Sequence, residues 1–458
     1  IARMKNISLG LLLFAFLGVS AQNTEPPKSY EFTLQEAINF AIDSSYATIN
    51  ARRDIAIALK EKWETTARGL PQINGSANYD YNAIIRQTPL PAEITGGEPG
   101  TFVPVEFSPR QNINASVSVN QLIFDGSYIV ALQAAKTFLE YSDNNETRTK
   151  LEVRKDVINA YGNVLLAEKS INIIENNLEA AEQNLYETRK IYENGLAEEE
   201  DVEQLQITSQ QLKSQLNNSK RMRDISKESL NMVLGLPIAT EVSLLEELED
   251  LANKEILDAE FIKEDLEVEN TIDFKIANNL VKQRQLEMKL EKSKALPSLS
   301  AFANYGQTSF GENFEFFSSR ADWFEFSTIG VSLNVPIFSS LQRSARTQKA
   351  KIEMKKAETQ KTQAINQIQL QLNSAKSNFE FAVENYKLNQ KNLQLAERIE
   401  TKNQTKFKEG LGTSFELRQA QQQLYTAQNE LLQSMLDIIS AKAEIEKIIN
   451  TPFNNLEK

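Results

Sequence analysis

Leu70-Pro71-Gln72-Ile73-Asn74-Gly75-Ser76-Ala77-Asn78-Tyr79 recurs at an offset of 226 as Leu296-Pro297-Ser298-Leu299-Ser300-Ala301-Phe302-Ala303-Asn304-Tyr305, with five of the ten positions identical. A second pair of stretches follows the first. Val117-Ser118-Val119-Asn120-Gln121-Leu122-Ile123-Phe124 matches Val331-Ser332-Leu333-Asn334-Val335-Pro336-Ile337-Phe338 at an offset of 214. The change of twelve in the offset falls between the two stretches, where a loop tip tolerates insertion. From there the offset stays near 215: Tyr192-Glu193-Asn194-Gly195-Leu196 matches Phe407-Lys408-Glu409-Gly410-Leu411, and Leu236-Pro237 matches Thr451-Pro452. Self-similarity at a fixed period predicts one structural unit used twice. We place the copies at residues 22–237 and 271–458, joined by residues 238–270.

Each repeated stretch reads as a strand with two different faces. Ile73, Gly75, Ala77, Tyr79 and Tyr81 alternate with Gln72, Asn74, Ser76, Asn78 and Asp80, and Ile113, Ala115, Val117 and Val119 alternate with Asn114, Ser116, Ser118 and Asn120. In the second copy the apolar sets are Leu299, Ala301, Ala303 and Tyr305, then Ile329, Val331, Leu333 and Val335. The expected strands are 71–81 and 113–124 in copy one and 297–306 and 326–337 in copy two. About ten residues is the length that crosses a bilayer when tilted, and one apolar face opposite small polar groups suits a lipid-facing wall around water. An ordinary half-buried sheet has the same alternation. The connections argue for the membrane: residues 82–112 are expected to be long and irregular, and residues 306–327 carry Phe310, Phe314, Phe316, Phe317, Trp323, Phe324 and Phe326. Aromatics beside strand ends fit a membrane–water girdle. Four strands cannot close a barrel, so an integral barrel requires several copies of the chain.

The rest is predicted to be long helix. Asp125 and Ser339 follow the Ile-Phe strand ends and are good N-cap residues. Helical sequence runs from them to Gly195 and Gly410, which read as stops just past a helix end. The returning segments hold an apolar heptad seam. In copy two it is Leu417, Ala420, Leu424, Ala427, Leu431, Ser434 and Ile438; in copy one it is Val202, Leu205, Ser209, Leu212, Leu216 and Ser219. The outgoing helix offers Leu178, Ala181, Leu185, Thr188 and Tyr192. A plain coiled-coil rod would look the same here; the strand pairs argue against one.

Composition narrows the chemistry. There is no histidine and no cysteine among the 458 residues. That excludes imidazole catalysis, His-based metal sites, thiolate chemistry and disulfides. No cofactor or metal site is expected, and the chain is read as non-enzymatic. The formal charge is −12, and residues 241–269 carry twelve acids against Lys254 and Lys263, so no basic stripe offers itself to nucleic acid. Lys5, the apolar run Leu9–Val19 and the small-residue site Val19-Ser20-Ala21 predict a secretory signal over residues 1–21, with Gln22 first in the mature chain. No cysteine follows the cut to carry a lipid.

Taken in order and doubled, these features resemble the TolC family of outer membrane efflux proteins. The parts that carry the resemblance are Leu70-Pro71 and Leu296-Pro297 opening strands, the Ile-Phe strand ends, Gly195-Leu196 followed by Asp201-Val202, and Gly410-Leu411-Gly412-Thr413. The resemblance implies a mainly α fold with β: two tandem helix–strand–strand–helix repeats. It implies a homotrimer with a 12-stranded outer-membrane β-barrel continuous with a periplasmic α-helical barrel. It also implies a periplasmic adaptor and an inner-membrane transporter, of RND or ABC type, as partners. The function implied is passive conduction of substrates from that pump out of the cell. A soluble periplasmic coiled-coil adaptor is the other reading.

In this family the hairpin tips close the periplasmic end, and in its best-known members an Asp–Tyr–Arg latch and a ring of acids hold them shut. Asp201 matches the latch aspartate, but Phe407 stands at the tyrosine position and Gly412 at the arginine position. Glu416 matches one acid-ring position and Gln419 stands at the second. Glu198, Glu199 and Glu200 are the nearby carboxylates, and a collar made of them and Asp201 would favour cations. Acids there would also simply favour a helix N-terminus. Residues 238–270 resemble the family's belt around the tunnel's waist; a solvated linker has the same composition.

Overall fold

The computed structural model describes residues 29–257, 267–319 and 321–450. The expected signal sequence, part of the acidic segment and Thr451-Pro452 lie outside these residues.

In chain order the elements are β1 (Tyr30–Phe32), α1 (Leu34–Ser44), α2 (Tyr46–Ala67), β2 (Gln72–Tyr81), β3 (Gln87–Pro91), β4 (Phe102–Glu106), β5 (Gln111–Asp125), α3 (Gly126–Glu193), α4 (Glu199–Leu234), β6 (Val242–Leu244), α5 (Leu248–Leu257), α6 (Ile272–Ser293), β7 (Ser298–Gly311), β8 (Trp323–Asn334), α7 (Gln342–Lys408) and α8 (Ser414–Ile449). The order of copy one, helix–strand–strand–long helix–returning helix, repeats in copy two as α6, β7, β8, α7 and α8.

The sheet is β2-β5-β7-β8, antiparallel throughout. Its register puts Ala77 opposite Ala115, Val117 opposite Tyr305, and Ala301 opposite Val331, so the apolar sets of all four strands share one face. That face is uncovered: Ile73 is 70% exposed and Ile329 88% exposed. An apolar face left open by the chain's own fold calls for something other than water against it.

Helices continue this order. α3 contacts α2 and α4 on one flank and α6 and α8 on the other, and α6 and α8 both contact α7. α3 has 68 residues and α7 has 67, so each spans roughly 100 Å at about 1.5 Å per residue. Among the described residues no helix is long and apolar enough to cross a membrane.

The core sits at the middle of this wall. Val157, Tyr161 and Val164 of α3, Leu234 of α4, Ile438 and Ile445 of α8 and Ile38 of α1 are buried in one cluster. The acidic segment enters it. β6 pairs in parallel with β1, and Leu248, Leu251 and Ala252 of α5 are buried. Its carboxylates are placed. Glu246 accepts from Leu34 N (2.6 Å) and from the Tyr161 hydroxyl (3.3 Å). Lys169 holds Glu249 (2.9 Å), and Lys442 pairs with Glu255. Part of the segment is thus packed into the core and is not a solvated linker. Its strand sets Val242 beside Tyr30, at the opposite end of copy one, and no local pattern announces that pairing.

Three expectations change. Ser339 does not cap α7, which starts at Gln342 after Ser340 and Leu341, both at positive φ. Its hydroxyl instead accepts from Arg343 Nε (3.0 Å), while Arg343 also donates to Pro336 O (2.8 Å). Asp125 does cap α3, accepting from Ser127 N (2.6 Å) and Tyr128 N (3.2 Å). The connections are more ordered than expected: β3 and β4 form a hairpin within 82–112, and β7 and β8 leave only residues 312–322 between them. The aromatics also divide between faces. Tyr79 meets Phe314 (ring centroids 5.4 Å) and Phe316 on the apolar face. Phe310, Phe324 and Phe326 project with the Ser/Asn set, where Phe310 and Phe324 lie 6.0 Å apart. There Phe326 covers Gly306 and Phe302 covers Gly330, each directly across the ladder. A girdle of all seven aromatics is therefore incompatible with strand alternation.

Gly235 ends α4 at φ +79°, and a Cβ there would come within 2.3 Å of Ser44 O. Gly195 has φ +73° with open space around it. Gly195→Ala is expected to cost only the left-handed penalty, about 1 kcal/mol. Gly235→Ala adds a backbone collision and is expected to lower thermal stability far more; equal shifts in thermal melts would contradict this.

Candidate functional site

The far end of the helical wall, where the two hairpins turn, is the candidate site. Both turns are the same device. Gly195 N donates to Tyr192 O (2.8 Å) and Leu196 N to Ile191 O (3.0 Å); Gly410 N donates to Phe407 O (3.0 Å) and Leu411 N to Lys406 O (2.8 Å). Each glycine lies at φ +73°, the left-handed conformation such a helix stop requires. Leu196 and Leu411 are left exposed at the tips.

The returning helices start on capping residues. Thr413 Oγ1 accepts from Glu416 N (3.2 Å) and Glu416 Oε2 accepts from Thr413 N (3.1 Å). Glu416 is thus engaged in holding α8. Gly412 packs beside it: a Cβ on Gly412 would lie 3.5 Å from Glu416 Oε2. At the other tip Asp201 Oδ2 accepts from Glu198 N (3.4 Å), and Glu200 Oε1 accepts from Gln204 Nε2 (2.9 Å). Glu198, Glu199 and Glu200 are exposed in the first turn of α4 or just before it, where acids complement the helix dipole. Phe407 is half-buried on α7, and Gln419 is exposed on α8. The aromatic ring at 407 has no hydroxyl to join a latch.

What holds the hairpins together differs from what holds each hairpin. Within copy one, Ala181 on α3 faces Leu212 and Leu216 on α4 in an apolar cluster with Ile171 and Ile174. Between copies, Tyr425 of α8 packs on that same cluster, and the other contacts are amides and hydroxyls. Asn177 Nδ2 donates to Gln428 Oε1 (2.8 Å). Gln404 reaches Asn184 (3.5 Å), and Ser414 reaches Gln204 (3.5 Å), which extends the Glu200 link to the other tip. Lys408 lies 3.4 Å from Glu187. Asn184, Thr188 and Gln421 are buried, and each keeps one polar atom unpaired. Unpaired buried polar groups make this seam costly. The seam has a sequence signal that the apolar heptads overshadow: Asn177 and Asn184 are seven apart, as are Ser414, Gln421 and Gln428.

Glu400 lies in this region on α7. Burial holds its carboxyl above the usual range, with a hydrogen bond to Gln421 and the Lys408 charge acting in the opposite sense. Tyr425 beside it is pushed up to about 12, by burial first and then by the Glu400 charge. A carboxyl raised in the folded state costs stability when ionised, and the cost fades as pH falls through the raised folded pKa toward 4.5. Glu400→Gln is therefore expected to raise the melting temperature at pH 7.5 and to have no effect near pH 4. Identical shifts at both pH values would refute the burial argument.

Comparison with known proteins places this geometry. The family model described as outer membrane efflux protein matches residues 47–236 and 266–451. The alkaline protease secretion protein AprF of Pseudomonas aeruginosa is 20% identical over 337 residues, covering 72% of this chain and 68% of that one. Among solved structures, the outer membrane protein VceC of Vibrio cholerae aligns with a TM-score of 0.67 at 15% identity, over 91% of this chain and 95% of its own. The Campylobacter jejuni CmeC outer membrane channel gives 0.68 at 14% identity, over 91% and 85%. The open state of the Neisseria gonorrhoeae MtrE outer membrane channel gives 0.68 at 16% identity, over 91% and 88%. With both copies matched separately by one family model across most of its length, the chain belongs to the outer membrane efflux protein family.

Proposed function

We propose that this chain is one protomer of an outer-membrane channel-tunnel. It conducts passively what an inner-membrane pump and a periplasmic adaptor deliver, in an efflux or type I secretion system. The observation that carries this reading is the continuity of an uncovered two-faced sheet with a helical wall roughly 100 Å long. The apolar face suits lipid, and the Ser/Asn face suits a water-filled lumen. The family resemblance supports a homotrimer with twelve strands. A soluble adaptor would have no use for residues such as Ile329 and Val331 standing open on a sheet face.

The tips are the proposed gate. Asp201 and Glu416 cap helices, so closure rests on the polar seam between hairpins more than on a latch involving Phe407 or Gly412. Apolar seams keep each hairpin intact while the amide seam lets the two hairpins separate at small cost. Glu198, Glu199 and Glu200 form the proposed cation-favouring collar.

Detergent-extracted protein is expected to conduct in planar bilayers; extraction without detergent and no conductance would sink the channel reading. In the same recordings, replacing Glu198, Glu199 and Glu200 together by Gln is expected to lower the K⁺ to Cl⁻ permeability ratio about 2-fold or more. An unchanged ratio would leave these acids as helix-terminus residues only.

A further inference from the structure

Polarity inverts along the part of β7 and β8 that lies farthest from the helices. There the ladder pairs Gln307 with Glu325 on the face that is apolar elsewhere, and Gln307 Nε2 donates to Glu325 Oε1 (3.0 Å). A carboxylate and an amide on the lipid-facing side place this part of the sheet beyond the hydrocarbon. That explains the outward half of the inversion. The inward half is aromatic. Across the sheet, one rung reads Asp80, Asn112 and Phe310, and another reads Asn78, Asn114, Thr308 and Phe324. Copy one is polar at this level, whereas copy two presents two rings.

These rings have no cover in the chain as folded. Phe302 and Phe326 lie over glycines, but Phe310 and Phe324 are 49% and 56% exposed, with ring centroids 6.0 Å apart. Phe314 and Phe316 meet Tyr79 on the opposite face and cannot shield them. An aromatic pair left open on the wall of a watery mouth calls for an apolar partner. We propose that the β3–β4 hairpin of the same chain is that partner: it swings inward and seats its apolar face on Phe310 and Phe324, as an outer lid over the duct.

Position and composition both favour this occupant. Gln111, where the hairpin segment rejoins the sheet, lies opposite Gly311, next to Phe310. Strand alternation puts Leu90, Val103 and Val105 on one hairpin face with Thr88. Val103 is exposed, and at the base of the hairpin Ile84 and Phe107 are 91% and 65% exposed. Hairpin and patch are thus open apolar surfaces at one end of the sheet.

The segment also reaches. β8 lies two strands from β5, about 10 Å at a spacing of ~4.8 Å. Val103 is seven residues from Arg110, a reach of about 23 Å when extended.

The neck can bend. The β2–β5 ladder ends at Tyr81 opposite Gln111 and is closed off by Asn82, whose N donates to Arg110 O (2.8 Å) and whose Nδ2 donates to Pro109 O (2.9 Å). Pairing resumes at Gln87 opposite Glu106. Among the described residues no ladder pair falls between these two points, so backbone bonds leave the angle of the hairpin to the sheet unset. Proline keeps the seat reversible. Pro89 faces Pro104, and Pro91 faces Phe102. Prolines withhold the donors that strand addition needs, so the hairpin docks through side chains and can leave again.

The inference rests on the channel reading for the direction called inward. The chain contains no cysteine, so engineered pairs report cleanly. In full-length protein oxidised in the membrane, Val103→Cys with Thr308→Cys is compared with Val103→Cys with Asn78→Cys. Thr308 is the ladder neighbour of Phe324, and Asn78 stands on the same rung but on β2, from which the hairpin segment leaves. Proximity alone favours Asn78; the lid favours Thr308. An intrachain link, read as a mobility shift on a non-reducing denaturing gel, is expected to be about 5-fold more abundant for the Thr308 pair. Adding Phe310→Ser and Phe324→Ser is expected to cut that link about 3-fold or more. In planar bilayers, oxidation of the Thr308 pair is expected to lower single-channel conductance about 2-fold or more, with recovery in reductant. Leu90→Cys replaces Val103→Cys should that variant fail to fold. Equal or better linking to Asn78, linking indifferent to the loss of both rings, or conductance unchanged by the link overturns the lid. A covalent multimer in place of the intrachain product overturns its seating within one chain. Absent conductance in the unaltered protein overturns the channel reading instead, and the gel comparison is independent of it.

Discussion

A sheet edge carries backbone donors and acceptors that need partners, and hydrocarbon supplies none. β2 and β8 are such edges, on a sheet whose apolar face leaves Ile73, Val117, Ile329 and Val331 exposed. Much of the architecture follows from that constraint. Four strands are too few to close a barrel, so the proposed channel needs further copies of the chain. The helices inherit the same logic, because α2 leads directly into β2 and β8 leads directly into α7.

Stability and mobility are distributed unequally along the wall. The middle is the firmest part: α1, α3, α4, α5, α7 and α8 share one core, tied by Glu246 to Leu34 N and by Lys442 to Glu255. Toward the tips copy one keeps its apolar seam, while the two copies meet through Tyr425 and through the amide pairs Asn177–Gln428 and Asn184–Gln404. Amide contacts with leftover unpaired atoms bind less firmly than packed leucines. A wall that is firm in the middle and joined less tightly at its end is what the proposed gate at the tips requires.

Much of this was readable from residues alone, and the parts that were not have physical reasons. Strand faces, hairpin stops at Gly195 and Gly410, and the heptad seams are local patterns, and local patterns survive in sequence. The cap at Asp125 was readable for the same reason. Its counterpart Ser339 was not, because Arg343 takes that hydroxyl and the turn runs through Ser340 and Leu341 first. The aromatics of the 306–327 region looked like one belt, yet strand alternation sends Phe310, Phe324 and Phe326 to the side opposite Tyr79. The pairing of Tyr30–Phe32 with Val242–Leu244 joins three-residue strands across most of a repeat, far below what periodicity detects. At the candidate gate, glycines and acids stood out by composition, whereas Gln204, Ser414, Gln421 and Glu400 matter through which helices meet. That information exists only once the helices are packed.

The central claim is that the open flanks of this chain are closed by further copies of itself. Electron cryomicroscopy of the detergent-extracted, full-length protein tests it most directly. The account requires a closed ring of twelve strands from three copies, with no β2 or β8 edge left open. Particles whose four-stranded sheets remain open at β2 and β8, or rings joined only through helices, would contradict it.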